Sequence, residues 1–77
     1  MSSTRDEKTI KNFGLHLQEI RKNKNISLRK LETLSNIDFS QIHRIEKGQS
    51  NPSLPTLIAL ANALEIEIAE LLRFKKD

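Results

Sequence analysis

Apolar residues recur along this chain at the spacing of helices rather than strands. Ile10, Phe13, Gly14, Leu17, Ile20 and Arg21 follow an i, i+3, i+4, i+7 rhythm, which puts them on one face of a first helix. Thr4 followed by Glu7 has the form of a capping box for its start, and the polar run Lys22-Asn23-Lys24-Asn25 ends it. Ser27 is a good N-cap for a short second helix with Leu28, Leu31 and Leu34 as its apolar residues, stopped by Ser35-Asn36. Asp38, with Gln41 three residues on, starts a third helix that turns Ile42, Ile45 and Glu46 to one side and ends at Gly48. Only Asn36-Ile37-Asp38 separates these two helices, so they must cross steeply in a helix-turn-helix spanning about residues 27–47.

After a loop from Gln49 to Pro52, Ser53 caps a fourth helix that tolerates Pro55 in its first turn. Leu54, Leu57, Leu60, Ala61 and Leu64 are its expected inward stripe. A fifth helix is expected from Glu67 to Phe74, with Ile68, Leu71 and Leu72 apolar. No strand pattern, repeat or low-complexity segment interrupts the series. The expectation is an all-α, compact five-helix bundle forming a single domain over 1–77, with residues 1–5 and 75–77 disordered.

Composition narrows this picture. A chain of 77 residues buries only about 60% of its unfolded surface, so its stability is marginal without assistance. It has no cysteine, which removes disulfides and thiolate metal sites and leaves oligomerisation as the usual support. No apolar run reaches the roughly 20 residues of a membrane span and no secretory signal opens the sequence, so a cytoplasmic protein is expected. The net charge is +3, but it is uneven. Residues 1–30 hold eight basic and three acidic groups, whereas 31–77 hold five and seven. A basic half suggests an anionic partner, and a solvated lysine-rich surface would look the same.

The order of these features resembles the Cro/C1-type (Xre family) helix-turn-helix proteins, which include phage repressors and restriction-modification controllers. The resemblance rests on Leu17-x-x-x-Arg21, Ser27 before Leu31, and Ile42-x-x-Ile45-Glu46-x-Gly48. It continues through Asn51-Pro52-Ser53-Leu54 and Leu57-x-x-Leu60-Ala61-x-x-Leu64, about four fifths of the chain with the first helix included. Each piece is weak alone; their order and spacing together are specific. The resemblance implies a lambda-repressor-like fold and binding of double-stranded DNA. It also places Ser27, Leu28 and Arg29, and Asn51 before the fourth helix, beside the DNA. Three positions depart from the family pattern. Leu28 stands where a phosphate-contacting Gln is usual, Glu32 where a small residue is, and Asn36 where the turn glycine is. Leu28 offers no side-chain donor there, although backbone N–H groups at the helix start remain available to phosphate. Glu32 bears on how closely helices two and three approach.

Helical geometry alone sorts the third helix. If Ile42, Ile45 and Glu46 point inward, Ser40, Arg44 and Lys47 lie about 145–170° away, flanked by Gln41 and His43. This outward set carries suitable chemistry. Arg44 can donate a bidentate pair to guanine, Gln41 and Ser40 can read base edges, and Lys47 suits a phosphate. Phe39, about 65–70° from the inward direction, could pack on a thymine methyl or fold back onto Leu31 and the turn. His43 is read as a base or phosphate contact and His16 as a surface residue. No third ligand stands at a metal-binding spacing, so no metal or cofactor is expected. Arg21 and Glu46 sit on otherwise apolar faces, where an unpaired charge is costly, so mutual pairing is the economical expectation.

Neither a phosphate loop nor a catalytic triad can be found, and an enzyme is not expected. The favoured reading is a homodimeric transcriptional regulator acting on a roughly palindromic operator, its recognition helix running from Asp38 to Lys47. Ile58, Ile68, Leu72 and Phe74 are the expected dimer contacts, because the last helix has more apolar residues than a short helix can bury internally. The alternative is an antitoxin that binds a toxin and represses its own operon. That function calls for an appended toxin-binding segment, and this sequence carries none of useful length.

Overall fold

The computed structural model describes residues 3–75, of which the side chains are described from Asp6 onward. Five helices are present among these residues, and no strands. The chain is all-α, as the periodicity requires. α1 (Ser3–Asn23) is already helical at Ser3, so the backbone of Thr4 lies within the helix and not ahead of it, as a capping position would require. Residues 3–5, expected to be disordered, are therefore part of the helix, while residues 1, 2, 76 and 77 lie outside the described part. Asp6 in the first turn and Arg21 and Lys22 in the last complement the helix dipole at each end.

α2 (Leu28–Ser35) and α3 (Phe39–Glu46) form the helix-turn-helix, followed by α4 (Leu54–Ala63) and α5 (Ile68–Leu71). Side chains cap three of the starts: Ser27 accepts from the Lys30 N–H, Asp38 from Ser40, and Ser53 from Thr56. Three helices end in the same way. Asn25, Gly48 and Glu65 take the left-handed conformation. The next amide then reaches back into the last turn: Ile26 to Arg21, Gln49 to Arg44, and Ile66 to Ala61. In the first and last cases the following isoleucine packs against the core.

That core comprises Phe13 and Leu17 of α1, Leu31 of α2, Ile42 and Ile45 of α3, Leu60, Ala61 and Leu64 around α4, and Leu71 of α5. α1 lies against α3, α2 against α3 and α4, and α4 against α5. Each fully buried Leu or Ile contributes about 1.5–3 kcal/mol. Truncating Leu17, which has no exposed surface, to Ala would cost about 2–5 kcal/mol.

Three sequence expectations fail here. Leu54 is 64% exposed, so it does not belong to the inward stripe of α4, and Leu34, one of the apolar residues of α2, is 45% exposed. Leu54 opens α4, and Leu34 lies near the end of α2 at the rim of a shallow groove with Ile26, Ala63 and Leu64. The last helix is four residues long, not eight. Leu72 caps it, and the chain bends so that the Phe74 ring meets Phe13 edge-on at 5.6 Å between centroids and lies 5.9 Å from the His16 ring. Tertiary packing of one aromatic outweighs the continuing helical pattern. His16, read as a plain surface residue, places Nε2 3.1 Å from the Glu70 carbonyl and so helps hold this turn to α1.

Candidate nucleic-acid interface

The turn between α2 and α3 is set by Asn36, whose backbone is left-handed (φ 62°) and whose N–H donates to the Glu32 carbonyl. Asn tolerates this conformation nearly as a glycine does. The Ile37 N–H then donates to Ser35 Oγ at 3.2 Å, closing the turn. Asp38 holds the first turn of α3 by accepting from both the amide and the hydroxyl of Ser40. These bonds, with the Ser40 hydroxyl dominant and Arg44 contributing at longer range, keep the Asp38 carboxyl below its ordinary acidity range.

A second acid reaches the same helix start from α2. Glu32 Oε2 accepts from the Phe39 N–H at 3.1 Å, and its other oxygen lies 3.5 Å from Arg29 Nη1. Glu32 thus links the two helices of the motif, and the departure from a small residue is absorbed as a cap across the turn. The Arg29 guanidinium lies over the Phe39 ring, 4.1 Å from its centroid. Phe39 is half-buried beneath this cation. Of its two expected places, thymine contact and core, the core reading does not describe it: it is not among the core residues.

From behind, α3 is fixed by α1. Arg21 Nε donates to Glu46 Oε2 at 2.7 Å and Nη2 to Oε1 at 3.0 Å, a bidentate pair. The remaining nitrogen, Nη1, donates to the Ile26 carbonyl at 2.8 Å. Both residues are buried, at 7% and 3% exposure. Gly14 lets the two helices touch. A Cβ there would overlap the carbonyl of Ile45 and stand 2.7 Å from the Glu46 oxygen. The residues facing α1 are therefore those that cannot face anything else, and the opposite side of α3 is left outward.

On that outward side Ser40, His43, Arg44 and Lys47 are exposed and Gln41 half-exposed. Ser27 and Arg29 are exposed at the start of α2, as is Asn51 in the loop before α4. Leu28 departs from this group. It is half-buried against the core, and it brings no polar side-chain group to the surface at the start of α2. Among the expected dimer contacts, Ile58 is 45% exposed. Ile68, Leu72 and Phe74 are half-buried against the core. Leu15, at 55% exposure, is a further apolar surface residue that periodicity did not single out. Glu32 and Gly14 are the residues of this region whose roles were not found from sequence. Both act across helices, and no local pattern marks them.

A helix-turn-helix family model, HTH_3, matches residues 17–71, well over half of the chain. The chain belongs to the HTH_3 family. Solved structures share its fold. The restriction-modification controller protein C.AhdI from Aeromonas hydrophila is 42% identical, with a TM-score of 0.79 over 80% of this chain and 94% of that one. An HTH_3 family transcriptional regulator from Vibrio cholerae is 26% identical, with a TM-score of 0.82 over 86% of this chain but 37% of that one. A curated relative, an HTH-type transcriptional regulator from Haemophilus influenzae, is 57% identical over 35 residues. That match spans about half of this chain and 36% of the relative's length. The matched segment contains the whole of α2, the turn and α3, and the relatives that carry a regulator's name share this helix-turn-helix part of their length.

Proposed function

We propose that the chain binds double-stranded DNA sequence-specifically as a homodimer, in the cytoplasm, and regulates transcription from a roughly palindromic operator. One observation carries this reading. α3 buries Ile42, Ile45 and Glu46 while its opposite face, with Ser40, His43, Arg44 and Lys47, is exposed. An eight-residue helix is roughly 12 Å long, which suits a major groove of similar width. In this placement Arg44 reads guanine, Gln41 and Ser40 read neighbouring base edges, and Lys47 and His43 meet the backbone. Ser27, Arg29 and Asn51 flank them along the phosphates. The likeness to a restriction-modification controller supports an autonomous regulator over an antitoxin.

One recognition helix covers too few base pairs for useful specificity. Two-fold symmetry would set two of them about 34 Å apart, one turn of DNA. We assign the dimer contact to Ile58 with the flanking edges of Ile68, Leu72 and Phe74. Selection from random DNA tests the whole reading: a two-fold symmetric consensus is expected. Enrichment of no sequence by a folded protein would refute it. Sedimentation tests the dimer separately, since Ile58→Glu should dissociate it. A wild-type monomer at micromolar concentration would remove this interface.

A further inference from the structure

Glu32 and Arg29 are not simple surface charges. Glu32 has its carboxylate on two partners at once, the Phe39 N–H at 3.1 Å and Arg29 Nη1 at 3.5 Å. The Arg29 guanidinium in turn covers the ring of that same Phe39 at 4.1 Å. The three residues close a ring that joins the start of α2 to the start of α3. The Arg29 side chain nevertheless remains 73% exposed. Stacking holds a guanidinium in one plane and leaves its in-plane N–H groups free for an oxyanion. An acid placed on a DNA-facing surface would ordinarily repel the phosphate backbone, so its position beside Arg29 calls for a reason.

We propose that Glu32 is a positioning residue: it fixes Arg29 over Phe39 so that Arg29 meets a DNA phosphate in fixed register with the base-reading face of α3. In a helix-turn-helix the first helix of the motif crosses the backbone while the second enters the groove. Arg29 stands on the first and Phe39 opens the second. A phosphate held by Arg29 is therefore rigidly tied to the bases met by Arg44. Leu28 packs its side chain on the core and has no polar group to offer a phosphate; Arg29, the next residue, has. This inference rests on the DNA-binding reading above.

The sign of one substitution separates positioning from charge. Glu32→Gln keeps an oxygen for the Phe39 N–H and removes the negative charge. Charge alone predicts tighter binding to any DNA. Positioning predicts that affinity for the selected operator falls about tenfold, as when a charge-assisted hydrogen bond is removed, while binding to random DNA does not fall. Arg29→Lys, which keeps the charge but not the planar fork, should lose a similar factor with the salt slope unchanged. The double variant should be no worse than either single one by more than about twofold, because the two act as a unit. Operator binding by Glu32→Gln that equals or exceeds wild type, or multiplying losses in the double variant, overturns the proposal. Should Glu32→Gln fail to fold, Arg29→Lys and Phe39→Leu apply the same test: each should lower operator affinity, and the pair should not multiply. A wild type lacking any salt-dependent, sequence-selective binding would instead refute the DNA-binding reading itself.

Discussion

Removing Glu46 should do more damage than truncating any of the exposed charged residues. Its carboxylate accepts from two Arg21 nitrogens, at 2.7 and 3.0 Å, with 3% of the residue exposed. Glu46→Ala would leave the Arg21 guanidinium buried with a single remaining partner, the Ile26 carbonyl. Stranding one member of a buried pair costs about 3–5 kcal/mol. A chain of this length has roughly 4–12 kcal/mol in total, so the variant should retain a fraction of its stability or unfold. In melting temperature the loss corresponds to roughly 12–40 °C. Replacing both partners, as Arg21→Met with Glu46→Leu, removes both charges and keeps apolar volume. The double variant should be more stable than either single one, with a coupling of about 2–3 kcal/mol. Urea unfolding followed by helical circular dichroism measures the wild type, Glu46→Ala, Arg21→Met, Glu46→Leu and the double variant. A Glu46→Ala loss below about 1 kcal/mol, or additive losses in the double variant, would show that solvent or rearrangement satisfies Arg21 and that the pair does not anchor α3.

Other expectations follow from single contacts. Gly14→Ala should destabilise by about 3 kcal/mol or more, because backbone carbonyls of α3 occupy the space and cannot turn aside; thermal melts would show it. Gly48→Ala should cost about 1–2 kcal/mol, since residue 48 holds φ at +73° and its Cβ would stand 2.9 Å from Lys11 Cα. Arg44→Ala should leave the melting temperature unchanged and lose about 1–3 kcal/mol of operator affinity, with relaxed selection at one base position in titrations. The Asp38 carboxyl has a lowered folded value, so its stabilisation is present above the ordinary carboxylate range. It is lost as pH falls through the folded value. Urea midpoints of wild type and Asp38→Asn should therefore differ at neutral pH and converge in acid.

Elements whose signals are local were legible. Ser27, Asp38 and Ser53 cap helices because a short polar side chain before an apolar repeat has one favourable use there. Asn36 and Gly48 stop helices because they accept a positive φ. Glu65 ends α4 in the same conformation at φ 58°, and nothing in its side chain announces it. There the propensity is overruled by two amides returning to α4 and by the packing of Ile66 on the core. α5 falls short of its sequence pattern for the same kind of reason. The pattern from Ile68 to Phe74 permits another turn of helix, but the packing of Phe74 on Phe13 and His16 is stronger than the propensity to continue.

The exposed face of α3 was legible by subtraction. A charged residue at an apolar position, as at Arg21 and Glu46, demands a partner, and that demand fixes which way α3 faces. Once Ile42, Ile45 and Glu46 are turned inward, the exposure of Ser40, Arg44 and Lys47 follows from the 100° step of the helix with no further information. Phe39 could not be placed in this way, because an intermediate angle leaves its neighbours to decide. The deciding neighbours are Arg29 and Glu32 on another helix, ten and seven residues earlier in the chain. The orientation of a helix is therefore a property its own sequence can carry. The environment at its ends belongs to the crossing, and becomes readable only when both helices of the motif are in place.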